Sequence, residues 1–94
     1  MGAVFGELER LLQSRRRERP SGSYSAELFG NHERVLRKIM EEAFELCLEV
    51  GRPAPDHARV AEEAADLVFH LLVGLVSVDV SLAEVERVLE DRRR

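Results

Sequence analysis

The sequence predicts an all-α fold. Apolar residues recur at helical spacing in four segments, breaks rich in Gly and Pro separate them, and no stretch alternates as a strand would. In the first segment Val4, Phe5, Leu8, Leu11 and Leu12 share a face, so a helix runs to about Arg16. Arg19-Pro20-Ser21-Gly22-Ser23 breaks it. Ser25 is placed to cap one short turn, Ala26 to Phe29, which Gly30 stops. Asn31 caps a second helix with Val35, Leu36, Ile39, Ala43, Leu46 and Val50 on one side, ended by Gly51 and Pro53. Asp56 caps a third, whose stripe is Val60, Ala64, Leu67, Val68, Leu71 and Leu75. Ser81-Leu82-Ala83-Glu84 reads as a capping box that opens a last helix with Leu82, Val85, Val88 and Leu89 inward. The expected architecture is four main helices, mostly antiparallel neighbours joined by short loops.

Length and composition bound the rest. A chain of 94 residues forms one domain with a modest core, and 45% hydrophobic with 34% charged residues is a globular balance. Aromatics are only 5% and Trp is absent, so the core rests on Leu, Val and Ala, and oligomerisation is expected to complete it. The net charge of -4 argues against a general nucleic-acid binder. Two basic clusters, Arg15, Arg16, Arg17 and Arg19, then Arg92, Arg93 and Arg94, are read first as solvated helix ends. The single Cys47 allows no disulfide framework or cysteine-based zinc site, and its position in the apolar arc makes it a core residue. Met1 to Gln13 has no signal-peptide pattern, and the apolar run from Leu67 to Val80 is too short to span a bilayer. No membrane association and a cytoplasmic location are therefore expected.

Two acidic motifs sit mid-helix: Glu41-Glu42-Ala43-Phe44-Glu45 on the second helix and Glu62-Glu63-Ala64-Ala65-Asp66 on the third. On a wheel of about 3.6 residues per turn, Glu42 falls at the edge of the apolar arc and Glu45 roughly 60° further round, with Lys38 and Glu49 between. Glu63 takes the matching edge of the next helix, Asp66 lies roughly 60° beyond it, and His70 falls between. If the two stripes pack together, four carboxylates meet along one rim. Like charges held close repel, and partly buried carboxylates without partners are costly. A divalent cation removes both penalties. Oxygen-only donors suit Mg²⁺ or Mn²⁺, and the Glu-x-x-His pairing of a di-iron site is absent. Glu-x-x-Glu alone is ordinarily a solvated face, and repetition of the geometry on consecutive helices is what favours a metal. Glu41 and Glu62 lie further from the apolar arcs, as surface charges or as a base behind the ligands. Lys38, one turn before Glu42, either meets phosphate or pairs with a carboxylate.

The pattern Glu-Glu-x-x-Glu, a gap, then Glu-x-x-Asp resembles that of the MazG-like all-α pyrophosphohydrolases, met here by Glu41, Glu42 and Glu45, then Glu63 and Asp66. Arg19-Pro20-Ser21-Gly22-Ser23-Tyr24-Ser25-Ala26, Arg37-Lys38-Ile39-Met40-Glu41-Glu42-Ala43 and Ala64-Ala65-Asp66-Leu67-Val68-Phe69-His70-Leu71-Leu72-Val73 are similar to motifs of a narrower family. That family is the phosphoribosyl-ATP pyrophosphohydrolases of histidine biosynthesis, and the likeness runs through nearly the whole chain. The resemblance implies a MazG-like helical bundle completed as a homodimer or larger assembly, and an ATP-type nucleotide as the small-molecule substrate. The implied reaction is Mg²⁺-dependent hydrolysis of phosphoribosyl-ATP to phosphoribosyl-AMP and pyrophosphate. Its carry-over assigns Glu42, Glu45, Glu63 and Asp66 to the metal and Glu41 and Glu42 to catalysis. Arg19, Ser23, Tyr24, Lys38 and His70 would meet the substrate, although His70 equally fits a partly buried, hydrogen-bonded role. The chain departs from the family at Glu27 and Gly51, where Lys is frequent, and at Met40, where Gly is usual. Two alternatives are a housekeeping nucleoside triphosphate pyrophosphohydrolase using the same metal site and a non-enzymatic dimerisation module. An adaptor has no reason to hold the carboxylates together.

Overall fold

A computed structural model describes residues 2–93; Arg94 of the C-terminal basic cluster and Met1 lie outside the described residues. Among the described residues the structure is helical throughout: α1 (Gly2–Glu18), α2 (Tyr24–Phe29), α3 (His32–Val50), α4 (His57–Ser77) and α5 (Leu82–Arg92). The four long helices are the predicted ones. No single helix among them is long and apolar enough to cross a membrane.

Local chemistry sets most boundaries. Asn31 Oδ1 accepts from the Arg34 amide, Asp56 Oδ1 from those of Ala58 and Arg59, and Ser81 with Glu84 forms the full capping box. The cap of α2 differs from expectation. Ser23, not Ser25, accepts the Ala26 amide, because Gly22 at φ +81° turns the chain one residue before it. Ser25 is already inside the helix, buried, with its hydroxyl 3.1 Å from that of Ser23. Helix α1 continues to Glu18, past the expected end, until Arg19 turns left-handed at φ +46° and Pro20 forbids another turn. At the end of α4, Asp79 adopts φ +61° while the Asp79 and Val80 amides donate back to the Val76 and Leu75 carbonyls. This is a Schellman cap with aspartate in the place glycine usually takes. Arg16 stabilises it, donating to the Val76 carbonyl and to the Asp79 carboxylate.

The core joins Leu12 of α1, Leu28 of α2, Val35 of α3 and Leu72, Val73 and Val76 of α4. Helices α3 and α4 make the most extensive contact. Ile39 meets Gly74, Glu42 meets His70, and Glu49 meets Arg59, so rising numbers on one helix pair with falling numbers on the other: the two are antiparallel. Helix α5 bends 108° away from α4, and none of its residues is fully buried. Its first turn is held by the Leu82 amide, which donates to Glu9 at 2.8 Å, and by Leu82 packing on the core.

The inward faces differ in part from the predicted stripes. Leu36, Cys47 and Val50 are exposed rather than core, as are Leu71, Val88 and Leu89. Helix α3 is apolar on two sides: Val35 and Ile39 serve this chain's core, while Leu36, Met40, Phe44 and Leu48 form an outward stripe at four-residue spacing. On α4 the buried positions are His70, Leu72, Val73 and Val76, none of them in the expected stripe, of which Val68 and Leu75 only flank the core.

The α3–α4 contact is close because Gly74 has no side chain. A Cβ there would lie 2.9 Å from Ile39 Cδ1 and 3.8 Å from Val35 Cγ1. Gly74→Val should cost about 1–3 kcal/mol by overpacking. Gly74→Ala should be close to neutral, since Ile39 can yield at its tip and Ala favours the helix by about 1 kcal/mol. Urea denaturation followed by circular dichroism distinguishes the two, and equal loss in both would contradict the close approach.

Candidate active site at the seam of two helices

The antiparallel register brings acidic residues of α3 and α4 face to face. Glu42, Glu45 and Glu63 each offer one carboxylate oxygen, and the three oxygens lie within 4.8 Å of one another. Glu42 is 7% exposed, Glu63 is half-buried, and Glu45 reaches the surface. Glu42 Oε2 and Glu63 Oε2 are both buried without a hydrogen-bond partner among the described residues. A native fold seldom leaves such atoms unsatisfied. Burial pushes the Glu42 carboxyl above its ordinary range, the charges of Glu45 and Asp66 push it further, and His70 opposes them. Glu63 is raised in the same way, by burial first and then by Glu45. Asp66 lies at the exposed rim, close enough for its charge to act on Glu42 and Glu63. It is outside the tight trio.

The donor set suits a hard divalent cation. Octahedral oxygen ligands at about 2.1 Å stand roughly 3 to 4 Å apart, a small contraction from the spacing here. The fit thus rests on two orphaned, buried oxygens and an all-oxygen trio.

Beside the trio, His70 is buried and doubly held. Its Nδ1–H donates to the Asp66 carbonyl at 2.9 Å, so in the neutral ring Nε2 accepts from the Tyr24 hydroxyl at 3.0 Å. Nδ1 is also 3.9 Å from Glu42 Oε1. The Tyr24 ring stacks near Phe69 and lies under the Arg34 guanidinium, 5.4 Å from its centroid. Helix α2 is thereby tied to the carboxylate seam.

The family model for phosphoribosyl-ATP pyrophosphohydrolase matches residues 5–93. The chain belongs to that family. Among its relatives, the phosphoribosyl-ATP pyrophosphatase of Cereibacter sphaeroides is 45% identical over 90 residues, covering 95% of this chain and 85% of that protein. That of Pyrobaculum neutrophilum is 44% identical, covering 97% and 96%. A histidine biosynthesis trifunctional protein of Neurospora crassa is 44% identical over 84 residues, of which this chain spans only 9% of the length.

The residues predicted for this family's site fall into two groups. Glu42, Glu45, Glu63, Asp66, His70 and Tyr24 are brought together at the seam. Arg19, Ser23, Lys38 and Glu41 have other partners. Lys38 Nζ pairs with Glu41 at 3.7 Å, and Ser23 caps α2 while accepting from Arg15. Arg19 folds back on the Arg16 carbonyl at the end of α1. Sequence reasoning placed Glu49 on the carboxylate edge of its helix but gave it no role; it is buried and holds Arg52 at 3.0 Å and Arg59 at 3.5 Å. Its seven-residue spacing from Glu42, two full turns along the same face, was the available signal.

Glu42 and Glu63 hold protons more tightly in the folded chain, so the stability they contribute is present at low pH and lost as pH rises through their raised values. Without metal, Glu42→Gln should therefore melt a few degrees higher than the wild type at about pH 8, and nearly the same at about pH 4. Calorimetry over that range checks it; a lower melting temperature for the variant at the upper end contradicts the crowding.

Proposed function

We propose that this chain hydrolyses phosphoribosyl-ATP to phosphoribosyl-AMP and pyrophosphate in histidine biosynthesis, with Mg²⁺ (or Mn²⁺) held by Glu42, Glu45, Glu63 and Asp66. The single observation that carries the metal is the carboxylate trio with its two partnerless buried oxygens. The substrate follows from family membership and from the relatives' activity as phosphoribosyl-ATP pyrophosphatases. When bound, the cation supplies neutralisation of phosphate oxygens and a more acidic water. Water adds to the α-phosphorus, and the bridging oxygen departs with pyrophosphate. Glu42, with its free oxygen, and the neighbouring Glu41 are assigned to accepting the proton of that water. Tyr24 and His70, joined by their hydrogen bond, are assigned to meeting the nucleotide, together with Arg19, Ser23 and Lys38. The reaction takes place in the cytoplasm.

The test is pyrophosphate release from a panel of nucleotides including phosphoribosyl-ATP and ATP, with Mg²⁺ and with chelator. Turnover should favour phosphoribosyl-ATP and vanish with chelator. Glu42→Gln, Glu45→Gln and Glu63→Gln should each lose at least about 100-fold in rate, in keeping with the loss of electrostatic stabilisation at a reacting centre. Full activity in any two of them, or equal use of ATP, contradicts the reading.

We infer further that the active form is a homo-oligomer. The stripe of Leu36, Met40, Phe44 and Leu48 leaves large apolar side chains 48% to 66% exposed on a single chain. Clustered apolar surface of this kind belongs to an interface. Phe44→Glu should yield smaller particles than the wild type in sedimentation velocity at micromolar concentration. A monomeric wild type would exclude the assembly.

A further inference from the structure

The acidic seam ends, toward the α3–α4 turn, in a group of opposite charge. Glu49 lies one helical turn beyond Glu45, and Arg59 one turn before Glu63, so the pair adjoins the carboxylate trio by about 5.4 Å along each helix. Glu49 accepts from Arg52 Nε at 3.0 Å and Arg52 Nη2 at 3.3 Å, and pairs with Arg59 Nη2 at 3.5 Å. The Arg52 hydrogen bond, foremost among these contacts, holds the Glu49 carboxyl below its ordinary range. The Glu49 side chain is 6% exposed, yet both arginines are 57% exposed. One arginine would neutralise the buried carboxylate. A second leaves a net positive charge, and both guanidiniums keep donors toward solvent, since each carries five N–H groups. A carboxylate that only tied the helices together would gain nothing from that surplus.

At the opposite end of the seam the cation is Lys38, paired with Glu41, one turn before Glu42. Tyr24 and His70 are also on that side. A polyphosphate laid along the seam therefore meets carboxylates in the middle, where a cation is needed, and guanidiniums at the turn. Arginine is the side chain whose planar fork matches phosphate oxygens. We propose that Arg52 and Arg59, oriented by the buried Glu49 carboxylate, bind the terminal phosphates of the nucleotide. The pyrophosphate to be released then lies toward the α3–α4 turn, and the rest of the substrate toward α2. This assignment rests on the pyrophosphohydrolase reading above, and it gives the site a direction.

The decisive experiment titrates inorganic pyrophosphate into the full-length chain with Mg²⁺ by calorimetry. Loss of a charge-assisted contact should weaken binding about tenfold in Arg59→Gln and in Arg52→Gln. Arg59→Lys, which keeps the charge but not the fork, should lose less. Phosphoribosyl-AMP binding should be unchanged in all three, and the KM for phosphoribosyl-ATP should rise by the same factor as the pyrophosphate constant. Unaltered pyrophosphate affinity in both glutamine variants, with only a lower melting temperature, would make the cluster a structural tie and overturn the proposal. So would equal weakening toward phosphoribosyl-AMP, or a wild type that takes up no pyrophosphate. Because pyrophosphate itself is the probe, a wild type using ATP as readily as phosphoribosyl-ATP would overturn the substrate assignment without altering this result.

Discussion

Gly74 lets α3 approach α4 until Ile39 fills the space where a side chain would stand, and that separation sets everything along the seam. Further from this point, in register, Glu42 comes under His70 and Glu45 meets Glu63. Close packing is thus what forces the carboxylates together. Hydrophobic contact at one end of the helix pair holds like charges in proximity at the middle, where water is partly excluded and each charge is harder to solvate. The molecule keeps a local destabilisation at the place where a cation can relieve it.

Helices α1 and α2 serve that seam from one side. Arg16 fastens the end of α4 through the Val76 carbonyl and Asp79, and Leu12 and Leu28 fill the core behind it. The Tyr24–His70 hydrogen bond then links a short helix with little stability of its own to the long α4. His70 spends its other nitrogen on a backbone carbonyl, which fixes the ring. A residue so constrained can orient a neighbour or a substrate without an entropic penalty at the moment of binding.

The two sides of α3 divide the labour differently. Val35 and Ile39 face the chain's own core, whereas Leu36, Met40, Phe44 and Leu48 face outward. A domain of this size buries too little surface to spare a helix face that apolar. The same helix therefore carries core, carboxylates and an outward apolar stripe on three sectors of one cylinder.

The sequence by itself determined the helices and most of their caps. Asn31, Asp56 and Ser81 act through hydrogen bonds to amides two or three residues away, and Pro20 acts on its own backbone; none needs a distant partner. It also determined that Glu42, Glu45, Glu63 and Asp66 share an edge, because the helical period is a local property. Tertiary structure alone decided which edge faces which. Leu36 and Cys47 read as core from their place on the wheel, but α3 is apolar over too wide an arc for the wheel to tell inside from outside. The trio's spacing, the partnerless oxygens and the Glu49–Arg59 contact depend on the register of two helices. That register is set by side-chain packing around Gly74, between residues 35 positions apart in the chain at Ile39 and Gly74, and such a contact leaves no trace in either residue's neighbours.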